Sequence, residues 1–593
     1  MLWVLLAITT FTYNIQQTAS TCTHENNFGV YFIYCKNLNS LDEINLELYE
    51  SNPIRVFVRN SSLALKRSRI FKGMFLKELE VTGSNISVIE SNFLDTLQQL
   101  GTFTIGNSKI NKLEPFPELK SLYHVKFFDN DVSHIPENWL EKLSRLYSAT
   151  LINIKSDLKH LSLNMLKNTP VQYLKIHNVG LETLEPDSLH TLRKLVSLTL
   201  SNNNIKNLTN YVFKDLELLE ELHLSGNQLS GFDKNVFVGL KKLKELDLSN
   251  NKFVNINSTW FEQLPSIHFI DIHSNNIKNV HIAVPSLKTL DLSDNELTEL
   301  KDGLFTGVPA LHFLDVSSNL ITHISSDAFK EVYNLEILNL EGNYISKLNG
   351  DVYRHFSNLT CLALSYNKIT DLSAIEFDHL ESLLSLNLSH NNIEKLPKNA
   401  FTKLYSLEEL DLHKTLLTNI KAEMFYGLKR LQVLNLSGNQ LKMIVPGTFK
   451  EMPALQVLNI GSVLVSSLKP DTFAGLSNLK MLDLTNNSIV DLPEGLLRYS
   501  KFTLISLRRN KIQHLNASIF VNQTEMEELD LRSTRIESLD LVEEMPNLRY
   551  LLLKDTKFEK QNIIFFKEVT FRKINEDYWD SWCPEFIPEC KRD

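Results

Sequence analysis

The 593 residues carry 61 Lys+Arg against 70 Asp+Glu, a formal net charge of -9, and 43% of them are hydrophobic. This mild acidity argues against a nucleic-acid binder, which needs a basic stripe, and the apolar content is ample for a core. The length alone suggests several globular domains, unless an internal period shows one repeated structure.

The first stretch, MLWVLLAITTFTYNIQQTASTC, has an apolar run at Leu2–Ala7 and small residues at Thr18-Ala19-Ser20. It reads as a secretory signal peptide over residues 1–20, with no Lys or Arg in its n-region. Residues 21–52 then form an N-terminal cap, in which Cys22 and Cys35 bracket FGVYFIY, a stretch suited to a first strand.

From there a fixed period governs the chain. Leu219, Leu222, Leu224, Asn227 and Leu229 recur as Leu243, Leu246, Leu248, Asn251 and Phe253, an LxxLxLxxNxL unit repeating every 24 residues. Early copies are degenerate: Ser61, Ser84 and Ser108 take the Asn place, Asn130 restores it, and Val179 loses it. The zone near 146–180 is expected to be the least regular. From Asn203 the array runs on evenly, apart from the short step between Asn275 and Asn295, with Thr415, Val463, Thr534 and Thr556 in the Asn place. About 22 repeats are expected over 53–558. In each, the two leucines of LxL turn into a core from a short parallel strand, and the Asn amide satisfies backbone groups of neighbouring coils. Thr can do part of that work and Val463 none. A Phe closes each outer segment, from Phe213 and Phe237 to Phe449 and Phe473, and these rings are expected to stack as a column. One repeat cannot bury its apolar face alone, so stability comes from stacked neighbours.

Residues 559–593 read as a C-terminal cap stapled by Cys583–Cys590, as Cys22–Cys35 staples the first; both pairs suit an oxidising compartment. Cys361 is left over at a solvent-facing strand position. It is either an intermolecular bridge to a homo- or hetero-oligomer or a small residue shielded by neighbours. Sequons at Asn60, Asn85, Asn207, Asn257, Asn358, Asn387, Asn435, Asn486, Asn516 and Asn522 agree with secretion. No stretch after the leader has the length of a membrane span, and the chain ends polar, so a released product is expected.

The 24-residue unit with its Phe resembles the "typical" subfamily of extracellular leucine-rich repeats, over roughly 53–558. Similar proteins include Toll-type receptor ectodomains, the acid-labile subunit of the insulin-like growth factor complex and secreted immune leucine-rich-repeat proteins. The resemblance implies an α/β solenoid, a right-handed horseshoe whose parallel sheet lines the concave face. It implies a secreted extracellular protein that binds a protein or microbial ligand, in innate immunity or growth-factor transport. Unlike the Toll receptors, this chain shows no membrane span and no cytoplasmic signalling domain. The alternative is an adhesion or matrix protein acting by self-association.

Ligand-contacting residues are sought on strand positions flanking the buried leucines. Asp247, Asp271, Asp291 and Asp315 form a run of carboxylates, expected to raise one another's pKa and to steer a basic ligand. Asp is also simply a common residue at this place. Phe269 and Phe313 add apolar contacts of the kind hot spots use, and Ile337, Val433, Val457, Met481 and Leu504 continue that column. Glycans on Asn387 and Asn435 would obstruct the later strands. The expected site is therefore the window of Glu221, His223, Glu245, Asp247, Phe269, Asp271, His273, Asp291, Phe313 and Asp315. Arg508, Arg509, Arg532 and Lys554 make a second, basic surface conceivable. HExxH, G-x-S-x-G, P-loop and zinc-spaced cysteine motifs are absent, so no enzyme, cofactor or metal site is expected.

Overall fold

The computed structural model describes residues 21–559, except 47–48, 50–51, 69, 156–162, 185–187 and 373–376. The signal-peptide stretch, the C-terminal cap and the Cys583–Cys590 staple lie outside the described residues. The chain divides into two compact units, Met1–Asn279 and Val280–Asp593. The boundary falls inside the shortened repeat between Asn275 and Asn295.

The first unit opens on a hairpin. Thr21–Asn27 runs antiparallel to Val30–Lys36, and Cys22 faces Cys35 across the pair, where they form a disulfide. The turn uses left-handed backbone at Phe28 and Gly29 (φ 50° and 82°), a conformation glycine adopts without steric cost. Ten parallel strands then run in register, from Pro53–Arg59 to Phe269–Asp271. The second unit continues the pattern with twelve, from Thr289–Asp291 to Tyr550–Leu552. Each unit is thus a parallel-sheet solenoid in which each coil gives one strand to the main sheet. Helix is scarce: the outer segments are turns and short 3-10 stretches such as Gly350–His355.

The early coils hold a second parallel sheet that the repeat pattern did not predict. Its strands are Ser62–Leu65, Asn85–Ile89, Lys109–Ile110 and Asp131–Val132. The local alternation explains it, since in NISVI the buried Ile86 and Val88 alternate with the outward Asn85 and Ser87. In the zone expected to be irregular, Ser148–Ile152 and Tyr173–His177 still pair in register. Part of the segment joining them, 156–162, lies outside the described residues.

The asparagine ladder explains why Asn recurs in coil after coil. Asn227 Nδ2 donates to the carbonyls of Leu200, Leu224 and Ser225 at 3.0, 2.9 and 3.2 Å, and its Oδ1 accepts from Ile205 N at 3.0 Å. One buried amide therefore ties its own coil to the one before. Early serines substitute in part: Ser84 Oγ accepts from Ser61 N at 3.1 Å and donates to Thr82 O at 3.0 Å. Thr415 Oγ1 donates to Leu412 O at 2.8 Å, whereas Val463 is simply buried. The phenylalanine column forms as expected: Phe213–Phe237 and Phe305–Phe329 stack at 6.3 and 5.6 Å between ring centres, within 8° and 3° of parallel.

Candidate ligand-binding face

The strand register sets out the sheet face as columns. In the first unit, Glu221, Glu245 and Phe269 align in one column; His223, Asp247 and Asp271 align in the next. In the second unit, Phe313 aligns with Thr289 and Asp315 with Asp291.

The second column does not stand free in solvent as expected. Asp271 and Asp291 are only 8% and 5% exposed. Each carboxylate of this column closes the turn after its own strand. Asp247 Oδ1 accepts from Ser249 N and Oγ at 2.9 and 2.7 Å, and Asp315 Oδ1 from Ser317 N and Oγ at 2.8 and 2.6 Å. Asp271 Oδ1 takes the backbone N–H of His273 at 3.0 Å and lies 2.7 Å from its Nδ1. The same bond recurs with Asn435 and Ser437 at 3.1 Å. Aspartate is frequent here because a short acceptor satisfies the i+2 backbone, as in an Asx turn. One oxygen of each carboxylate is structural, which weakens the acidic-stripe reading for the Asp column.

Electrostatics within the column diverge. Asp315 is pushed up to about 6, first by burial and then by neighbouring Asp291, against hydrogen bonds from Ser317 and Asn339. Asp247 moves the other way. Burial opposes its charge, but the nearby His223 imidazole and the hydrogen bonds from Ser249 outweigh that and hold it below the usual carboxylate range. The like-charge effect expected for all four is thus reversed at Asp247.

His223 supplies the reason. Its Nδ1 lies 3.9 Å from Glu245 Oε1 and 3.8 Å from Asp247 Oδ2. Burial works against the imidazolium, yet the facing carboxylates of Asp247, Glu245 and Glu221 outweigh it and raise its pKa. Glu221, His223, Glu245 and Asp247 therefore form one half-buried acidic cluster over two adjacent strands, with Phe269 beside Glu245.

Three further expectations are corrected. Asn387 and Asn435 are 6% and 2% exposed and their amide oxygens hold Ser389 and Ser437, leaving no room for a glycan. The other eight sequon asparagines are exposed. Glycan shielding therefore no longer separates the later strands from the chosen window. Cys361 is buried, 5% exposed, so it is not a solvent-facing thiol. Of the basic residues, Arg532 folds onto Asp530 through two contacts of 2.9 and 2.7 Å, which neutralises it.

Sequence reasoning missed two aromatic groups. Tyr123, Tyr147 and Tyr173 are each about 40% exposed, and Tyr147–Tyr173 rings lie 5.1 Å apart. Their recurrence at strand starts was the available signal. Tyr366 and His390 occupy the left-handed turn position that most coils fill with Asn, Asp, Ser or Gly, and stack at 4.0 Å. His390 meets His413 edge-on at 4.6 Å, and burial first, then His413 and Lys414, depress its pKa to about 4.

A stacked sheet of this kind, with outward polar and aromatic columns, is a frame for binding macromolecules rather than for catalysis. Models of the family described as "Leucine rich repeat" match residues 169–229, 219–277, 285–345, 333–393, 382–441, 433–489 and 500–558. The chain belongs to the leucine-rich repeat family. The early coils, 66–186, also match the "BspA type Leucine rich repeat region". A curated relative, U2 small nuclear ribonucleoprotein A' of Arabidopsis thaliana, is 30% identical over 151 residues, which is 26% of this chain. The chain spans about half (51%) of that relative's length. Among solved structures, the TLR13–ssRNA13 complex matches with TM-score 0.52 and 22% identity, over 78% of this chain and 82% of that one, a likeness of fold. The LRR protein LIC12759 of Leptospira interrogans aligns over 57% of this chain and 90% of its own, with 26% identity and TM-score 0.49. Among the described residues no helix is long and apolar enough to cross a membrane.

Proposed function

We propose that the chain is a secreted, extracellular recognition or carrier protein that binds a basic protein ligand on the sheet face of its first unit. The observation that carries this reading is the cluster of Glu221, His223, Glu245 and Asp247. Three carboxylates surround one imidazole there, and Phe269 lies alongside in register. Glu221 and Glu245 sit two residues before the turn-closing column, on the same sheet face, where they can meet a partner. A half-buried acidic cluster beside an aromatic ring fits a lysine- or arginine-bearing protein surface. The proteins this chain is similar to include a ribonucleoprotein component and a receptor in complex with single-stranded RNA. Carboxylates at this density repel phosphate, so a protein is favoured over RNA at this face.

The Cys22–Cys35 disulfide and the eight exposed sequons support the extracellular assignment. The test is affinity capture from extracellular fluid, with the wild-type chain and a Glu221→Lys/Glu245→Lys variant as baits. A protein held by the first and lost by the second supports the reading. The same protein held equally by both removes it.

A further inference from the structure

We propose a second site, on the second unit, that binds a sulfated polysaccharide chain. An open groove of about 590 Å³ is lined by Lys429, Arg430 and Lys480, the amides of Gln432, Gln456 and Asn478, and a single carboxylate, Glu408. The backbone lays these residues out in a row. Gln432 N donates to Glu408 O, Gln456 N to Gln432 O, and Lys480 N to Gln456 O, each at 2.8 Å, so four consecutive coils contribute one residue each. Such a row runs along the stacking direction, which suits a linear polymer better than a compact ligand.

The charges point to an anion. Among the described residues none of the three cations has an ion-pair partner, not even Glu408 in the same groove. A local excess of positive charge in a chain of net charge -9 is a feature of this groove and not of the molecule at large. The amides point to the kind of anion. Gln456 Nε2 donates to Gln432 Oε1 at 3.3 Å and Asn478 Nδ2 to Pro453 O at 2.8 Å. Each amide keeps further donor or acceptor capacity toward the groove, the pairing that vicinal hydroxyls require. Ammonium and guanidinium groups take sulfate oxygens, Arg430 in its two-pronged geometry. No aromatic ring lines the groove, so it lacks the stacking platform that single-stranded nucleic acids use.

The experiment measures binding of the full chain to heparin, with polyuridylate and inorganic sulfate as comparison probes. It is repeated with Lys429→Ala/Arg430→Ala/Lys480→Ala and with Glu408→Gln. All four positions lie outside the buried core, and circular dichroism establishes that each variant is folded. The wild-type chain is expected to bind heparin in a salt-dependent way. The triple variant should bind at least about tenfold more weakly with a shallower salt dependence, and Glu408→Gln should bind more tightly. Failure of the wild type to bind heparin, or equal binding by the triple variant, overturns the proposal. Polyuridylate binding as tight as heparin binding overturns it in favour of a nucleic-acid groove. The site is independent of the sheet-face cluster, so either reading can fail alone.

Discussion

At the scale of single residues, asparagine has two jobs in this chain that spacing alone did not separate. The ladder asparagines are buried and tie coils together; the strand Asp and Asn residues close turns. Asn343 shows the first job, with Nδ2 donating to Val316, Leu340 and Glu341 carbonyls at 3.0, 3.0 and 3.3 Å and Oδ1 accepting from Ile321 N at 3.0 Å. Asn343→Ala leaves those groups unpaired in a dry interior and is expected to destabilise the second unit by about 2–4 kcal/mol. A thermal midpoint unchanged by the substitution would refute the ladder's energetic role. Asp315 shows the second job and a cost attached to it. Its carboxyl is raised to about 6, so the folded state holds the proton more tightly than the unfolded chain does. The stability linked to this proton is fully present below the ordinary carboxylate pKa and is lost as pH rises through about 6. Asn serves the same turn at Asn339, where Oδ1 accepts from Glu341 N at 3.0 Å. Asp315→Asn is therefore expected to stabilise the chain above pH 6, by on the order of 2 kcal/mol, and to flatten its pH dependence between about 4 and 6. Denaturation midpoints at pH 4 and pH 7.5 check this.

At the scale of elements, the periodic features were legible and the compensating ones were not. Leu222, Leu224 and Asn227 specify strand, core and ladder because each side chain has one energetically acceptable place. The second sheet of the early coils was missed because its alternation, Ile86 and Val88 against Asn85 and Ser87, is short and lies outside the LxL unit. The columns of the candidate face were read in the right register, but their exposure was misjudged. Whether Asp271 is free or turn-bonded depends on the backbone two residues on, which the spacing of leucines does not describe. The hairpin cap is the element whose contribution is simplest to isolate. Its disulfide closes a short segment, with a sequence separation of 13. Cys22→Ser/Cys35→Ser is expected to cost about 3 kcal/mol by loop-closure entropy. Because repeat stability is carried by neighbour contacts, the loss should fall on the first coils. Hydrogen exchange should accelerate at Val56 and Val58 and stay unchanged at Leu458; uniform acceleration would contradict a local cap.

At the scale of the whole molecule, family and fold come from the repeat, whereas ligand choice rests on a few residues between the leucines. The structure narrows the candidate window. It brings Glu221, His223, Glu245 and Asp247 into one charge cluster, and it gives one oxygen each of Asp247, Asp271, Asp291 and Asp315 to the turns. Reversing those aspartates would therefore damage folding as well as charge, and the two glutamates are the cleaner probes. The most direct measurement is the association rate of the captured partner with wild-type chain and with Glu221→Lys/Glu245→Lys, at low and at physiological salt. Electrostatic steering predicts that the variant associates at least about tenfold more slowly at low salt and that the gap narrows as salt rises. Equal association rates at low salt would contradict a basic ligand on this face.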